Sequence, residues 1–270
     1  MRLSKDTKLC ISLAGRPSNI GTRFHNYLYE QLGLDFIYKA FTTTDIVAAI
    51  GGVRALGIRG CSVSMPFKQD VIPLVEEVEA SARAINAINT IVNDDGRLTA
   101  SNTDYIAVQQ LIDKHGLDPD DAVLIRGSGG MASAVAAAFQ GKGFHTGIIV
   151  ARNRDTGSAL ADWLGYEYVP EVGDLKAPII VNVTPIGMAG GSHETEVAFD
   201  EGAIAKAYTV FDVVALPSET PLIKAARAAG ASVITGAEVI ALQAAEQFER
   251  YTGIRPTPDQ IAEASAISRA

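Results

Sequence analysis

The chain has 270 residues, of which 47% are hydrophobic and 20% are charged, and its formal net charge is −8. A chain of this length and composition can bury a full core, in one large or two medium domains, so we expect a globular protein. The negative charge and the absence of any Lys/Arg cluster argue against nucleic acid as a partner. The N-terminus has no secretory leader pattern and no apolar run approaches membrane-spanning length, so we expect a cytoplasmic protein without a membrane partner.

The two cysteines, Cys10 and Cys61, stand alone in the sequence. They form no CxxC pair, and no third or fourth cysteine is present to complete a zinc site. We therefore expect neither a disulfide framework nor a bound metal.

Strand-like and helix-like segments alternate in the first sixty residues. Leu9 to Ala14 is a compact apolar segment that ends in a loop over residues 15–19. Helical spacing from Thr22 to Leu32, a strand near Phe36 to Ala40 and a helix from Asp45 to Leu56 follow. Because repeated β–α units form mostly parallel sheets covered on both faces, the pattern predicts an open α/β sandwich.

The segment Cys61-Ser-Val-Ser-Met-Pro-Phe-Lys68 brings one lysine to a turn of the chain. Its apolar part predicts a short strand, and Pro66 must end that strand because proline cannot donate a ladder hydrogen bond. We expect a helix to begin near Phe67, where a lysine in the first turn opposes the helix dipole. Lys68 is therefore either a surface lysine whose stem covers Phe67 or a residue kept for chemistry.

Polar residues interrupt the next apolar segments. Ile85 to Val92 predicts a strand, and Asn89 within it would need hydrogen-bond partners if buried. Asp94-Asp-Gly96 predicts a hairpin turn before a return strand from Arg97 to Ala100. Ser101-Asn-Thr-Asp104 then precedes a predicted helix, and these residues either cap it or, since three candidates exceed the need of one cap, also serve a site.

A second α/β unit begins at Asp121. Ala122 to Ile125 predicts a buried strand, and Gly127-Ser-Gly129-Gly130-Met-Ala132 follows it, directly before a helix of small residues. A strand, a glycine turn and a helix form a dinucleotide site, because glycines let the backbone approach a pyrophosphate at the helix N-terminus. The sequence therefore predicts that this unit binds a dinucleotide.

The end of the next predicted strand, Thr146 to Ala151, indicates which dinucleotide binds. An Asp or Glu at this point would select NAD, whereas Arg152, Asn153 and Arg154 favour the 2′-phosphate of NADP. Asp155 either caps the following helix or lies near the ribose. We therefore predict NADP in preference to NAD.

The alternation continues to the C-terminus, with predicted strands at 179–183, 210–214 and 232–235. A loop rich in Gly and Ser covers residues 189–193. A long helix is predicted from Ala237 towards Tyr251, and a last helix over 256–270. Gln243 lies in the apolar stripe of the long helix, so it is either on the helix flank or reaches a polar cleft.

These motifs together resemble the shikimate dehydrogenase family, over nearly all of the chain. The family's substrate-domain motifs are matched by Ser62 to Lys68, Ala87 to Thr90 and Asn102 to Asp104. Its nucleotide motif is matched by Gly127 to Gly130. Further matches follow in the family's order, at Asn182 to Met188, Asp212, Pro217, Thr220 to Leu222, Gly236 and Gln243.

The resemblance implies two α/β domains: a substrate domain over residues 1–102 plus 237–270, and a Rossmann-like NADP-binding domain over 103–236. The C-terminal helices would pack back on the first domain. The implied activity is the reversible, NADP-dependent oxidation of a ring hydroxyl of shikimate, or of a close cyclic hydroxy-carboxylate, to the 3-dehydro ketone in aromatic amino acid biosynthesis. The alternatives are a quinate or aminoshikimate dehydrogenase, or a non-catalytic nucleotide-binding regulatory protein of the same fold. The implied partner is a small-molecule substrate, with the chain a monomer or homodimer.

The resemblance also implies the roles of individual residues. Lys68 and Asp104 would form the catalytic pair, and Ser64, Asn89 and Gln243 would hold the ring hydroxyls. The hydride face of the nicotinamide would lie near Gly187 and Met188. The implied cofactor-binding residues are Gly127, Ser128, Gly129, Gly130, Met131, Arg152, Asn153, Arg154, Thr184, Gly187, Met188, Val213 and Gly236.

The loop expected to bind the substrate carboxylate departs from the family. The family's Ser-x-Ser pair corresponds to Asn19 and Gly21 in this chain. We predict that Ser18, Asn19 and Thr22 serve in its place, with Arg16 or Arg23 as a source of charge.

The nucleotide half departs at two further positions. The family's Asn-Arg-Thr aligns with Ala151-Arg152-Asn153 or, after a two-residue shift, with Asn153-Arg154-Asp155. Arg126 replaces a residue that is normally apolar and would need a charge partner if buried. These changes predict a shikimate dehydrogenase-like paralogue rather than the pathway enzyme itself.

Overall fold

The computed structural model describes residues 3–269 and divides the chain into two compact units. The first unit takes the chain up to Ile106 and again from Ala241 onward, and the second takes Ala107–Ile240. The boundaries predicted after residues 102 and 236 lie four residues earlier in each case. Each unit contains one six-stranded sheet covered by helices.

The first unit contains the following elements: β1 (Lys8–Ala14), α1 (Ile20–Gln31), β2 (Phe36–Thr42), α2 (Ile46–Ala55), β3 (Gly60–Val63), β4 (Glu77–Val78), α3 (Ala80–Arg83), β5 (Thr90–Asp94) and β6 (Arg97–Ser101). The strand order is β2-β1-β3-β5-β6-β4. The pairs β1–β2, β1–β3 and β4–β6 are parallel, whereas β3–β5 and β5–β6 are antiparallel. The sheet is therefore mixed.

The second unit has an all-parallel sheet, in the order β12-β11-β10-β7-β8-β9. Its elements are β7 (Val123–Arg126), α5 (Gly130–Gly141), β8 (Gly147–Val150), α6 (Arg154–Leu164), β9 (Glu167–Val169), β10 (Ile179–Asn182), α7 (Glu201–Lys206), β11 (Thr209–Asp212), α8 (Pro221–Ala228) and β12 (Ser232–Thr235). The unit boundaries fall within α4 (Thr103–Lys114) and α9 (Gly236–Thr252), and α10 (Pro258–Arg269) ends the described chain.

Apolar side chains of β1 divide between the two faces of the first sheet. Ile11 and Leu13 belong to a core cluster with α2, whereas Cys10 belongs to a second cluster with α1, α9 and α10. This division follows from the two-residue period of a strand. The expectation that the C-terminal helices pack on the first domain is thereby confirmed, although Ala270 lies outside the described residues.

Two local predictions were wrong. No α-helix begins near Phe67: residues 65–71 form turns, followed by a single 3₁₀ turn at Ile72–Leu74. Pro73 explains this, because it has no N–H to donate to the carbonyl of Gln69, so an α-helix begun near Phe67 could not continue past it. The strand predicted from Ile85 begins only at Thr90, because Asn86 adopts a left-handed conformation with φ of 50° that ends extended structure.

The predicted hairpin is confirmed. β5 and β6 pair in antiparallel register from Thr90↔Ser101 to Asp94↔Arg97. The two turn residues, Asp95 and Gly96, have φ values of 52° and 92°. An Asp-Gly turn with two positive φ angles matches the right-handed twist of the flanking strands.

A fully buried histidine lies in the second core cluster. The ring of His25 stacks on that of Tyr38, with centroids 4.4 Å apart, and also faces Phe248 at 6.0 Å. Burial lowers the pKa of His25 from 6.5 to about 3, and the neighbouring Gln247 opposes this shift. His25 is therefore neutral in the folded protein near neutral pH.

This shift predicts a pH dependence of stability. Between pH 6.5 and about 3 the unfolded chain binds a proton at His25 that the folded chain does not, so the free energy of unfolding falls as the pH decreases through this window. Relative to His25→Phe, the wild type should lose about 2 kcal/mol of stability between pH 7 and pH 5. Urea unfolding of both proteins at the two pH values measures the difference, and equal losses would contradict the burial argument.

Candidate functional site

A lysine and an aspartate form an ion pair in the first unit. The Nζ of Lys68 lies 2.6 Å from Oδ2 of Asp104, and the two side chains are 30% and 15% exposed. The pair is thus partly withdrawn from water and still accessible to a ligand. Other lysines also pair with carboxylates, such as Lys142 with Asp113, so the contact alone does not decide between the two interpretations of Lys68, and its role in chemistry stays a prediction.

The local chain geometry places both members of the pair. The main-chain carbonyl of Lys68 accepts a hydrogen bond from the N–H of Ile88 at 2.8 Å, and Phe67 beside it is buried. Asp104 lies in the first turn of α4, where the positive end of the helix dipole favours a carboxylate. Asn102 begins this helix, since its Oδ1 accepts from the N–H of Tyr105 at 3.1 Å. The capping role is therefore taken by Asn102, which leaves the carboxylate of Asp104 for Lys68.

Asn89 is 3% exposed and its side-chain amide is oriented by its neighbours. Its Oδ1 accepts hydrogen bonds from Oγ1 of Thr90 at 2.8 Å, from N–H of Thr103 at 2.8 Å and from Oγ1 of Thr103 at 3.1 Å. The partners required of a buried amide are thus supplied to its oxygen. Its NH₂ group is the part available to donate.

The remaining predicted ring-hydroxyl residues are accessible. Ser64 is exposed and its carbonyl accepts from the N–H of Phe67 at 3.1 Å, which closes the turn before Lys68. Gln243 is partly exposed on α9. Their roles stay predictions.

The predicted carboxylate loop differs in its polar groups from a serine pair. Ser18 and Asn19 are exposed, and the Asn19 side chain makes no capping hydrogen bond to α1. Oγ1 of Thr22 is buried without a hydrogen-bond partner among residues 3–269. A β-carbon added at Gly21 would lie 3.5 Å from the Tyr38 hydroxyl, an ordinary contact, so packing does not require glycine at this position.

The glycine turn of the second unit contains a glycine that the fold requires and two glycines that it does not. Gly127 has φ of 134°, and an added β-carbon would lie 2.8 Å from the carbonyl oxygen of Val183, so the fold itself requires glycine. Gly129 and Gly130 have no such φ and no atom within 4 Å of an added β-carbon. They leave open space at the N-terminus of α5, which a dinucleotide pyrophosphate fits.

Ser128 joins this turn to the first turn of α6. Its Oγ lies 2.7 Å from Oγ1 of Thr156, and Asn153 caps α6 by accepting from the N–H of Thr156 at 3.2 Å. The proposed capping role of Asp155 is therefore wrong. Arg152 and Arg154 are exposed on either side of the cap.

Arg126 is half-buried at the end of β7. Its guanidinium donates a hydrogen bond to the carbonyl of Ala198. Burial lowers its pKa, the nearby charge of Arg152 lowers it further, and Glu196 opposes both effects. Two guanidinium groups close enough to repel each other create a positive potential at this edge of the sheet.

A buried carboxylate organises the ends of β10 and β11. Asp212 accepts hydrogen bonds from Oγ1 of Thr220 at 2.6 Å and from Nδ2 of Asn182 at 3.0 Å. Burial raises the pKa of Asp212, and these hydrogen bonds, with that from the N–H of Val214, oppose the shift. Oγ1 of Thr184 donates to Oδ1 of Asn182 at 2.6 Å. Thr184 thus belongs to a buried framework at the carboxyl ends of the strands.

The last predicted cofactor residues also belong to the second unit. An added β-carbon at Gly236 would lie 2.3 Å from the carbonyl oxygen of Val213, so the close approach of these two backbones requires glycine. Gly187 has φ of 86°, and the next residue, Met188, is 42% exposed. Met131 is partly exposed in the first turn of α5. Their roles in cofactor binding stay predictions.

Two further properties bear on the class of site. Among residues 3–269, no group of three or more His, Cys, Asp or Glu side chains could hold a metal ion. In the same stretch, no helix is both long enough and apolar enough to cross a membrane.

Sequence reasoning missed a buried glutamine beside Asn89. Gln247, one turn after Gln243 on α9, is 3% exposed and donates to Oγ1 of Thr90 at 3.0 Å. The requirement that a glutamine in the apolar stripe be hydrogen-bonded applies to Gln247, while Gln243 is partly exposed. The sequence feature that could have identified Gln247 as buried is its helical spacing, three residues after Ala244 and four before Tyr251, both of which are buried.

One unit with a lysine–aspartate pair and a second with an all-parallel sheet and a strand–glycine turn–helix define a two-domain α/β protein with a Rossmann-like half. Residues 19–91 match the shikimate dehydrogenase substrate binding domain. The chain is 57% identical to a shikimate dehydrogenase-like protein of Haemophilus influenzae, over 99% of this chain and 98% of the relative. It is 34% identical to a shikimate dehydrogenase (NADP(+)) of Chlorobium phaeobacteroides, over 88% of each. The chain belongs to the shikimate dehydrogenase family, which confirms the resemblance.

Solved structures confirm the fold class. A shikimate 5-dehydrogenase-like protein superposes over 100% of both chains with a TM-score of 0.98 and 56% identity. The shikimate 5-dehydrogenase of Thermus thermophilus, in complex with NADP(H) and shikimate, gives a TM-score of 0.83 at 27% identity over 97% of this chain and 99% of that one. Quinate dehydrogenase from Corynebacterium glutamicum, in complex with NAD, gives 0.87 at 27% identity over 96% and 98%.

The two kinds of glycine predict different effects of the same substitution. Gly127→Ala should lower the free energy of unfolding by about 2 kcal/mol or more, because it forces a positive φ and a contact with the Val183 carbonyl. Gly129→Ala is the matched control and should leave stability unchanged. Urea unfolding of both variants checks this, and equal losses would show that the fold, rather than a ligand, requires glycine at 129.

Proposed function

We propose that the chain is an NADP-dependent oxidoreductase that reversibly oxidises a ring hydroxyl of shikimate, or of a close cyclic hydroxy-carboxylate, to the 3-dehydro ketone. The observation that carries the proposal is the 2.6 Å contact between Lys68 and Asp104. In a family whose members include NADP(+)-dependent shikimate dehydrogenases, this pair is the group of the first unit best suited to move a proton. The first unit would be the substrate domain and the second the dinucleotide-binding domain.

The pair accepts and returns the proton of the reacting hydroxyl. In the oxidation direction the pair takes up the one proton that the hydroxyl loses, and in the reduction direction it returns that proton to the carbonyl oxygen. A charged Lys68 has no lone pair, so the proton ends on the carboxylate of Asp104, either directly or through Lys68 once Lys68 has passed a proton along the existing hydrogen bond to Asp104. NADP, when bound, supplies the hydride chemistry.

Features of the second unit support NADP. The open space at Gly129 and Gly130 suits a pyrophosphate, and a side chain at either position would fill it. Arg152 follows the second strand, where a residue that reads the ribose is expected, and Arg126 adds positive charge nearby. Guanidinium groups pair well with a phosphate, so this edge suits the 2′-phosphate.

Features of the first unit bear on the substrate. The NH₂ group of Asn89, with Ser64 and Gln243, offers the donors and acceptors that a hydroxylated ring needs. Asn19 and Gly21 replace a serine pair at the carboxylate end, so we expect shikimate to bind less tightly than in relatives that keep the serines. Quinate and aminoshikimate are the alternative substrates, and quinate is favoured by the likeness to the quinate dehydrogenase structure. A regulatory protein without turnover is the remaining alternative.

Activity tests the pair directly. Following NADPH absorbance with shikimate, quinate or buffer, we expect slow turnover of at least shikimate by the wild type. Lys68→Ala should lower kcat by about a hundredfold or more, because the proton-transfer group is lost, while NADPH binding is retained. Lys39→Ala, an exposed lysine of the same unit that faces Phe41, is the matched control and should keep full activity.

A fully active Lys68→Ala would refute the role of the pair. No turnover with any cyclic hydroxy-carboxylate by the wild type would instead support the regulatory alternative.

Cofactor preference tests the arginines. Arg152→Ala should weaken NADP binding by roughly tenfold or more and leave NAD binding nearly unchanged, since only NADP carries the 2′-phosphate. Arg227→Ala is the control, because this exposed arginine of the same unit pairs with Glu219. Fluorescence titration with both reduced dinucleotides measures the affinities. Equal losses of affinity for the two would show that Arg152 does not bind the 2′-phosphate.

A further inference from the structure

Four polar side chains form a buried cluster in the first unit. Asn89 and Gln247 are each 3% exposed, and Thr90 and Thr103 are fully buried. They come from the end of the loop before β5, from β5 itself, from the start of α4 and from α9. Buried amides and hydroxyls need partners, and the cluster or the adjacent backbone supplies partners to all four side chains, although for Asn89 only to its Oδ1.

The direction of the hydrogen bonds in this cluster is determined. Nε2 of Gln247 donates to the main-chain carbonyl of Asn89 at 3.5 Å, and since a carbonyl only accepts, this contact identifies the NH₂ side of the glutamine. The same NH₂ group donates to Oγ1 of Thr90 at 3.0 Å. Oγ1 of Thr90 lies 3.2 Å from Oγ1 of Thr103, where either hydroxyl can donate, and 2.8 Å from Oδ1 of Asn89. The single hydroxyl proton of Thr90 is assigned to the shorter contact, with the amide oxygen, which can only accept.

The amide of Asn89 is thereby locked. Its Oδ1 also accepts from the N–H and the Oγ1 of Thr103, at 2.8 and 3.1 Å. Three donors point at the oxygen, so a flip of the amide is unfavourable because it would turn the NH₂ group towards those donors. Its Nδ2 donates to no acceptor within residues 3–269, so it is a donor held ready for a ligand.

Asn89 is also tied to both members of the ion pair. Thr103, which donates to it twice, directly precedes Asp104 at the start of α4. Ile88, its neighbour in the chain, donates its N–H to the carbonyl of Lys68 at 2.8 Å. The orientation of the Asn89 amide is therefore set in the same backbone segments that hold Lys68 and Asp104.

We propose that Gln247 is a positioning residue for substrate recognition, which acts through Thr90 to present the Asn89 NH₂ group to a hydroxyl or keto oxygen of the substrate beside the Lys68–Asp104 pair. This inference rests on the proposed function, because it concerns the same site. Gln247 itself is buried and touches no substrate. Its contribution is to set the direction of the hydrogen bonds that run from Gln247 through Thr90 to Asn89.

Substitution of Gln247 by methionine tests the inference, because methionine has a similar length and no donor. We expect Gln247→Met to lower kcat/KM by roughly three- to tenfold, mainly through a higher KM, since an oriented hydrogen bond to the substrate is weakened. Asn93→Ala is the control for loss of a buried amide. Asn93 is 5% exposed and bonds the carbonyl of Val53 and the N–H of Gly96. This control should lower the Tm and leave kcat/KM unchanged.

A double variant tests the route of the effect. If Gln247 acts through Thr90, Thr90→Val with Gln247→Met should lose no more kcat/KM than Thr90→Val alone. Losses that multiply would show that Gln247 does not act through Thr90, and would overturn the proposal.

The Asn89 side-chain amide gives a readout that needs no turnover. Its NH₂ resonances in a ¹H–¹⁵N spectrum are assigned by their disappearance in Asn89→Ala. They should shift or broaden in Gln247→Met and stay in place in Asn93→Ala. Unchanged resonances with unchanged kcat/KM would overturn the role of Gln247. If the wild type turns over no substrate, the proposed function fails, and the resonances alone then decide whether Gln247 orients Asn89.

Discussion

The site depends on one contact, the ion pair of Lys68 and Asp104, which joins a turn after β3 to the first turn of α4. The turn is fixed by the buried ring of Phe67 and by the hydrogen bond from Ile88 to the Lys68 carbonyl. The helix start is fixed by Asn102 and by the hydrogen bonds of Thr103 to Asn89. Because these contacts hold both ends, neither Lys68 nor Asp104 must order a flexible segment to meet the other.

In the second unit the constraint is steric: two backbone segments approach so closely at certain positions that only glycine fits. Gly127 and Gly236 are required by the fold, since a side chain at either would meet a main-chain carbonyl. Gly129 and Gly130 are not required by it, and this contrast separates residues that build the turn from residues that leave room for a ligand. Arg126 and Arg152 add positive charge at the same edge of the sheet. The arrangement suits a phosphorylated dinucleotide.

Much of the fold could be predicted from the sequence, because alternating apolar segments, the Asp-Gly hairpin and the strand–glycine turn–helix are local signals. The pairing of Lys68 with Asp104 could be predicted only from the family resemblance, since the two residues are distant in sequence. The prediction of a helix near Phe67 was wrong because Pro73 cannot donate the backbone hydrogen bond that such a helix needs. Gln247 was missed because its partners, Thr90 and the Asn89 carbonyl, belong to a strand far away in the chain, and periodicity cannot identify such partners.

The central claim is that this chain converts a ring hydroxyl to a ketone by a proton transfer through Lys68 and Asp104 coupled to reduction of NADP. The most direct measurement follows both products together, NADPH by absorbance and the ketone by NMR, with shikimate and Asp104→Asn as the matched variant. The account predicts one ketone per NADPH for the wild type and almost none for the variant at unchanged NADPH affinity. Equal product formation by the two proteins would contradict it.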